Sequence, residues 1–178
     1  MKIVGIGLNK TGTKTLGHCM RHWNMKHMSF SVDAFNHWIV RDYPAIMRLV
    51  EQYASFDDWP WPLIYREIDN SFPKAKFILT VRRNPDVWFD SLCRHADRTG
   101  PTLFRKAVYG FEMPHNHKRE HIRYYEAHTD SVREHFSNDP DKLLEVCWED
   151  GDGWEKLSTF LTLPLPEIPF PHENRSPS

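Results

Sequence analysis

A chain of 178 residues that is 40% hydrophobic and 13% aromatic holds enough apolar material for one domain with a packed core, which excludes a disordered or low-complexity protein. Its formal charge of −1 gives no global attraction for nucleic acid, so any affinity for anions must come from local clusters. Three widely spaced cysteines, Cys19, Cys93 and Cys147, exclude a disulfide scaffold and suit free thiols in a reducing compartment, and eleven histidines without a Cys-x-x-Cys partner do not make a metal site.

Ile3, Val4, Ile6 and Leu8 form a short apolar run that predicts a buried strand, and a loop of Gly, Asn, Lys and Thr follows at once. A helix begins near Thr13 to Thr15 and continues through Leu16, Cys19, Met20 and Trp23. Met28 to Val32 suggests a short strand, with Asp33 capping the next helical stretch. Between Ala34 and Tyr53, apolar residues recur at helical spacing in two pieces divided at Pro44. Ala54 to Trp59 reads as a loop or short edge, and Pro62 to Phe72 as a helix that Pro73 ends. Lys76 to Val81 is apolar almost throughout, as a strand covered on both faces should be. Arg82, Arg83 and Asn84 then stand at its carboxyl end, where open α/β sheets bind ligands, and Pro85 opens a helix to about Ala96.

Residues 94–123 are basic and His-rich, and read either as a solvated charged surface or as a lid; with the helix His121 to Phe136 they set off a helical, lid-like segment at about 94–137. Leu143 to Trp148 is a third strand and Trp154 to Leu161 a last helix. The tail 163–178 carries five prolines and should run extended over the surface. Strands followed by polar turns and helices imply right-handed crossovers, so the predicted fold is three-layer α/β, a parallel sheet flanked by helices in a single domain over 1–178. With no charged leader and no run of about 18 apolar residues, a soluble cytoplasmic protein without a membrane span is expected.

Gly7 and Gly12 let the loop curl so that its N–H groups converge on one anion at the positive end of the helix, while Lys10, Lys14 and the hydroxyls of Thr11, Thr13 and Thr15 add charge and donors. The Walker A pattern fits imperfectly, because Thr13 stands in the place of its lysine. Lys10-Thr11-Gly12-Thr13-Lys14-Thr15 instead resembles the loop of sulfotransferases, which holds the 5′-phosphosulfate of 3′-phosphoadenosine-5′-phosphosulfate (PAPS). The second signature of that family, an arginine at a strand end and a serine eight positions later on the 3′-phosphate, is matched by Arg83 and Ser91. FILTVRRNPDVWFDSL, YYEAHTDSVREHF, GDGWEKLSTFL and PLPEIPFPHEN are likewise similar to smaller bacterial-type PAPS-dependent sulfotransferases, so the resemblance covers nearly the whole chain. It implies a P-loop-type α/β fold, PAPS as donor, 3′-phosphoadenosine-5′-phosphate (PAP) as product and no metal. An adenine-stacking insert and the Arg-Lys-Gly loop of the cytosolic enzymes are missing, which leaves the adenine contacts unassigned.

Sulfuryl transfer needs a cation on the leaving-group charge and a base for the acceptor, by the same logic as in-line phosphoryl transfer. Lys10 is the natural cation. Relatives with a His-x-Pro segment between the two phosphate motifs use that His as base, and Asp58-Trp59-Pro60 occupies the similar place; Asp57 and Glu67 are the alternates. The expected acceptor is a small-molecule, glycan or lipid hydroxyl, or an amine, with a homodimer left open. Trp59, Trp61, Trp88 and Phe89 are either core or the wall of an aromatic acceptor pocket. Two other readings stay open: an ATP- and magnesium-dependent small-molecule or nucleotide kinase, and a non-catalytic nucleotide-binding protein on the same fold.

Overall fold

The computed structural model describes residues 1–171. Five parallel strands, β1 (Ile3–Gly5), β2 (His27–Met28), β3 (Ser55–Phe56), β4 (Lys76–Thr80) and β5 (Leu143–Val146), form one sheet in the order β2-β3-β1-β4-β5. The opening strand is therefore central: Val4 is in register with Phe56 on one side and Phe77 on the other. Among the described residues eight α-helices connect and cover the strands: α1 (Thr13–His22), α2 (Val32–Ile39), α3 (Tyr43–Glu51), α4 (Tyr65–Ser71), α5 (Pro85–Thr99), α6 (Leu103–Tyr109), α7 (Lys118–His135) and α8 (Trp154–Leu161).

Alternation along the strands fills both faces. Val4, Ile6, Phe77 and Leu79 pack with Ile46, Val50, Ile68, Val132 and Phe136 on one side. Ile3, Ile78 and Val146 pack with Leu16, Met20, Trp154 and Leu157 on the other. A third apolar cluster, with Leu8, Phe35, Trp59, Trp88, Leu92, Tyr109 and Tyr125, sits beyond the carboxyl ends of the strands and carries the loop after β1.

Caps set the helix starts. Ser31, not Asp33, caps α2 by accepting the Ala34 N–H at 3.2 Å, so the strand expected over Met28 to Val32 ends at Met28. Asp42 caps α3, which places Pro44 in a first turn, where a missing N–H is harmless, rather than at a break. Asn84 caps α5 through the Val87 N–H at 2.9 Å. The basic stretch 94–123 is built, not loose: α5 runs on to Thr99, α6 follows, and Arg105, 2% exposed, turns inward to bond Thr99, Gly100 and the Glu112 carbonyl. Of the expected tail, residues 163–171 carry no helix or strand and Phe170 packs on Trp148 and Trp154; 172–178 lie outside the described residues. Trp61, Trp88 and Phe89 are buried core, and Trp59 is only 5% exposed. Among the described residues no helix is long and apolar enough to cross a membrane.

Candidate active site

The loop between β1 and α1 is held by its carbonyls. Leu8 O accepts from the Thr11 hydroxyl at 2.6 Å, Asn9 O from Trp88 Nε1 at 2.9 Å, Lys10 O from Arg82 Nε at 2.8 Å, and Gly12 O from Trp148 Nε1 at 3.2 Å. Just upstream, Ile6 O meets His128 Nε2 at 2.7 Å, and burial lowers the His128 pKa, which keeps the ring neutral. The Thr11 hydroxyl also meets that of Thr80 at 2.6 Å, and Tyr109 donates to Asn9 Oδ1 at 2.6 Å. With the Asn9, Lys10 and Gly12 carbonyls held by side chains from outside the loop, the electropositive side is left to the amides that open α1. The start of α1 extends it. Gly12 is the N-cap, no side chain caps the helix, and no acid stands in its first turn, so the amides of Thr13, Lys14 and Thr15 lack an intrahelical partner.

Gly12 has φ 97°, and a Cβ there would lie 2.3 Å from the Trp148 ring. The Gly12→Ala variant should lose about 2 kcal/mol of stability from left-handed strain and displacement of Trp148. Adding Trp148→Ala should restore only the steric part, a split that denaturant melts of both variants would measure.

Charge converges on Lys10, which is half-buried with φ 70°. Burial lowers its pKa first, then the nearby Arg98 and Lys14, while Asp58 opposes the fall. Thr13 and Thr15 are buried in the first turn of α1 and Lys14 is exposed. At the end of β4, Arg82 lies beside the loop: its NH2 is 3.5 Å from the buried Ser91 Oγ and its NH1 pairs with Glu149 at 2.7 Å. Arg83, expected beside Ser91, turns to the rim instead, pairing with Asp150 at 2.9 Å and donating to the Glu149 carbonyl at 2.8 Å. That pair is more than half exposed on both sides, so it holds Arg83 weakly.

The three candidate acids are in different situations. Asp57 is fully buried: Ser29 Oγ donates to it at 2.5 Å, His27 Nε2 stands 3.2 Å from its other oxygen, and His27 Nδ1 meets Ser55 Oγ at 2.9 Å. Asp58, next in the chain with φ 63°, is half-buried and accepts the Trp59 N–H at 2.9 Å. Burial, then Asp57, pushes its pKa up to about 6 against the pull of that N–H, Lys10 and Lys14. Glu67 is in the first turn of α4. Asp58 is thus the carboxylate coupled to the loop's lysines.

Several side chains here carry no motif of their own. Arg82 precedes the motif arginine, and Trp148 leaves β5 to cover Gly12. Ser91, His95 and Arg98 recur at i, i+4 and i+7 on α5, a spacing visible in the sequence. The His95 pKa falls to about 4, through burial first and then Lys10, Arg105, Arg98 and Lys14. A cleft of about 680 Å³ opens beside Arg82 and Arg83, bounded by Asn84, Tyr125, Arg133 and Asp150; Lys10 and Asp58 are not part of its wall. Among the described residues no group of three or more His, Cys, Asp or Glu is arranged to hold a metal ion.

Residues 2–113 and 101–178 match the sequence model of a family described as the sulfotransferase domain. The chain is also similar to the Ava biosynthesis cluster protein M of Aspergillus versicolor, 26% identical over 213 aligned positions that take in 97% of this chain and 80% of that protein.

Proposed function

The chain belongs to the sulfotransferase family, and on that premise we propose that it moves a sulfuryl group from PAPS to an acceptor hydroxyl or amine. The observation that carries this is the loop after β1, where side chains from elsewhere hold the Asn9, Lys10 and Gly12 carbonyls while the first amides of α1 lack an intrahelical partner or a side-chain cap and Lys10, Lys14 and Arg82 stand beside them. Such a site fits a 5′-phosphosulfate. Thr11 to Thr15 would hold that end, Arg83 with Ser91 the 3′-phosphate, and Arg82 stands close enough to Ser91 to share the second grip. The cleft of about 680 Å³ that Arg82 and Arg83 line is large enough for a nucleoside beside this second grip.

When bound, PAPS supplies an activated sulfuryl group, whose bond to the 5′-phosphate oxygen breaks as one to the acceptor oxygen forms, the electron pair leaving on that phosphate. In this reading the Lys10 ammonium stabilises the departing charge. Asp58 takes the acceptor's proton, and its raised pKa makes it a stronger base than an ordinary aspartate. Trp59 N–H keeps one carboxylate oxygen in place and leaves the other to the acceptor.

The kinase reading needs an acid at a strand end free to hold magnesium. Asp57 stands at the end of β3, but His27 and Ser29 already occupy it beneath α1, which favours sulfuryl over phosphoryl transfer. PAP should stabilise the protein saturably in thermal melts while ATP at equal concentration does not, and Arg83→Ala should weaken PAP by about tenfold, the worth of a charge-assisted bond. The opposite preference would overturn the reading, and PAP binding without transfer to any acceptor would favour a non-catalytic binder.

A further inference from the structure

A short 3-10 turn, Trp148–Asp150, follows β5 and Cys147 and touches both of the grips assigned above to the donor. Trp148 Nε1 donates to the Gly12 carbonyl at 3.2 Å, and the indole lies so close that it leaves no room for a side chain on Gly12. The same carbonyl accepts the first bond of α1, from the Leu16 N–H at 3.2 Å. On its other side the turn holds the arginines. Glu149 pairs with Arg82 at 2.7 Å and accepts the Arg83 N–H at 3.0 Å, while Asp150 pairs with the Arg83 guanidinium at 2.9 Å. The loop after β1 and the arginines after β4 therefore share this support.

The support is in turn backed by the tail. Leu165 and Ile168 are 55% and 43% exposed, but Phe170 turns inward, its ring meeting Trp148 at 5.1 Å and Trp154 at 5.4 Å. Gly153 leaves space for that ring, since a Cβ there would stand 3.4 Å from it. Upstream the tail is pinned: Trp23 Nε1 donates to Pro164 O at 3.1 Å, and the Leu163 N–H to Ser158 O at 3.0 Å. Prolines at 164, 166, 169 and 171 restrict the backbone in advance, so seating Phe170 costs little chain entropy.

We propose that the tail braces the donor site, with Phe170 as a positioning residue that holds Trp148 against Gly12, keeps the turn 148–150 beneath both grips and so sets donor affinity. The proposal rests on the donor reading above. Without the Phe170 ring the indole is released from Gly12, the loop must be ordered anew on binding, and affinity falls with the fraction of molecules still braced. Such coupling is reciprocal, so a bound donor product also holds the tail in place.

The test is calorimetric titration of the full-length chain with PAP. Phe170→Ala should weaken PAP about tenfold and raise the KM for PAPS to match, with kcat at saturating PAPS within about twofold of wild type. Phe170→Tyr should restore the affinity, and Ile168→Ala, in the exposed part of the same tail, should leave it unchanged. Trp148→Phe keeps a ring and loses the bond to Gly12, so it should weaken PAP too, and the double variant should lose less than the product of the two factors. Equal affinity in wild type and Phe170→Ala, or factors that multiply in full, would overturn the proposal. Failure of PAP to bind the wild type would instead strike the donor reading. Hydrogen exchange in the ligand-free chain then decides the brace: Phe170→Ala should speed it at residues 12–16 and 148–151, and unchanged exchange there would overturn it.

Discussion

Lys10→Ala should lower kcat by roughly 10²–10³-fold, the loss expected when a group aimed at developing charge is removed, while the protein stays folded. The fold survives because the residue serves it mainly through backbone: Lys10 O holds Arg82, and alanine tolerates φ 70° as well as lysine does. The ammonium itself is a burden, half-buried among Arg98, Lys14 and Arg82, so its removal should leave the melting temperature unchanged or higher. PAP affinity should fall far less than turnover, since Lys14 and the loop amides remain. Single-turnover kinetics beside PAP titration would separate the two. Equal losses in binding and turnover would mean that Lys10 merely anchors the sulfuryl donor.

Asp58→Asn should cost about 10²–10⁴-fold in kcat by removing the proton acceptor, and should also stabilise the protein above pH 6. The sign follows from proton binding. A carboxyl that titrates at about 6 when folded and near 3.8 when unfolded keeps its proton in the native state between those values. Stability contributed by this group is therefore greatest at low pH and falls as pH rises through about 6. Asparagine escapes that loss, for a gain on the order of 1–2 kcal/mol at pH 8, or roughly 3–6 °C in a domain of this size. In the wild type, turnover should rise with pH through about 6 and the variant should lack that limb. A profile unchanged by the substitution would move the base elsewhere.

Much of this architecture is legible in the sequence because β1 and β4 are nearly continuous apolar runs bounded by polar turns, and the sulfotransferase family match agrees with the loop motif that they frame. The shorter strands are not legible. His27–Met28 and Ser55–Phe56 hold two residues each, and their polar members satisfy one another across the sheet through the His27–Ser55 bond, a solution that only the pairing of β2 with β3 reveals. Adjacent acids at 57 and 58 look equivalent on paper. Coverage by α1 and a left-handed backbone at Asp58 separate them, sealing one and turning the other toward Lys10. The two arginines differ likewise: spacing along the chain picks Arg83, whereas the alternation of the strand end brings Arg82 to Ser91.

The tethered loop has a consequence for the order of assembly. Its restraints come from α5, α7 and the ends of β4 and β5, regions separated by up to 136 positions in the chain. No fragment that ends before Trp148 contains all of them, so the set of restraints is complete only once β5 and the residues just after it have docked. Ligand capture then reports on completed folding, and PAP should slow hydrogen exchange in α5 and α7 as well as in the loop itself.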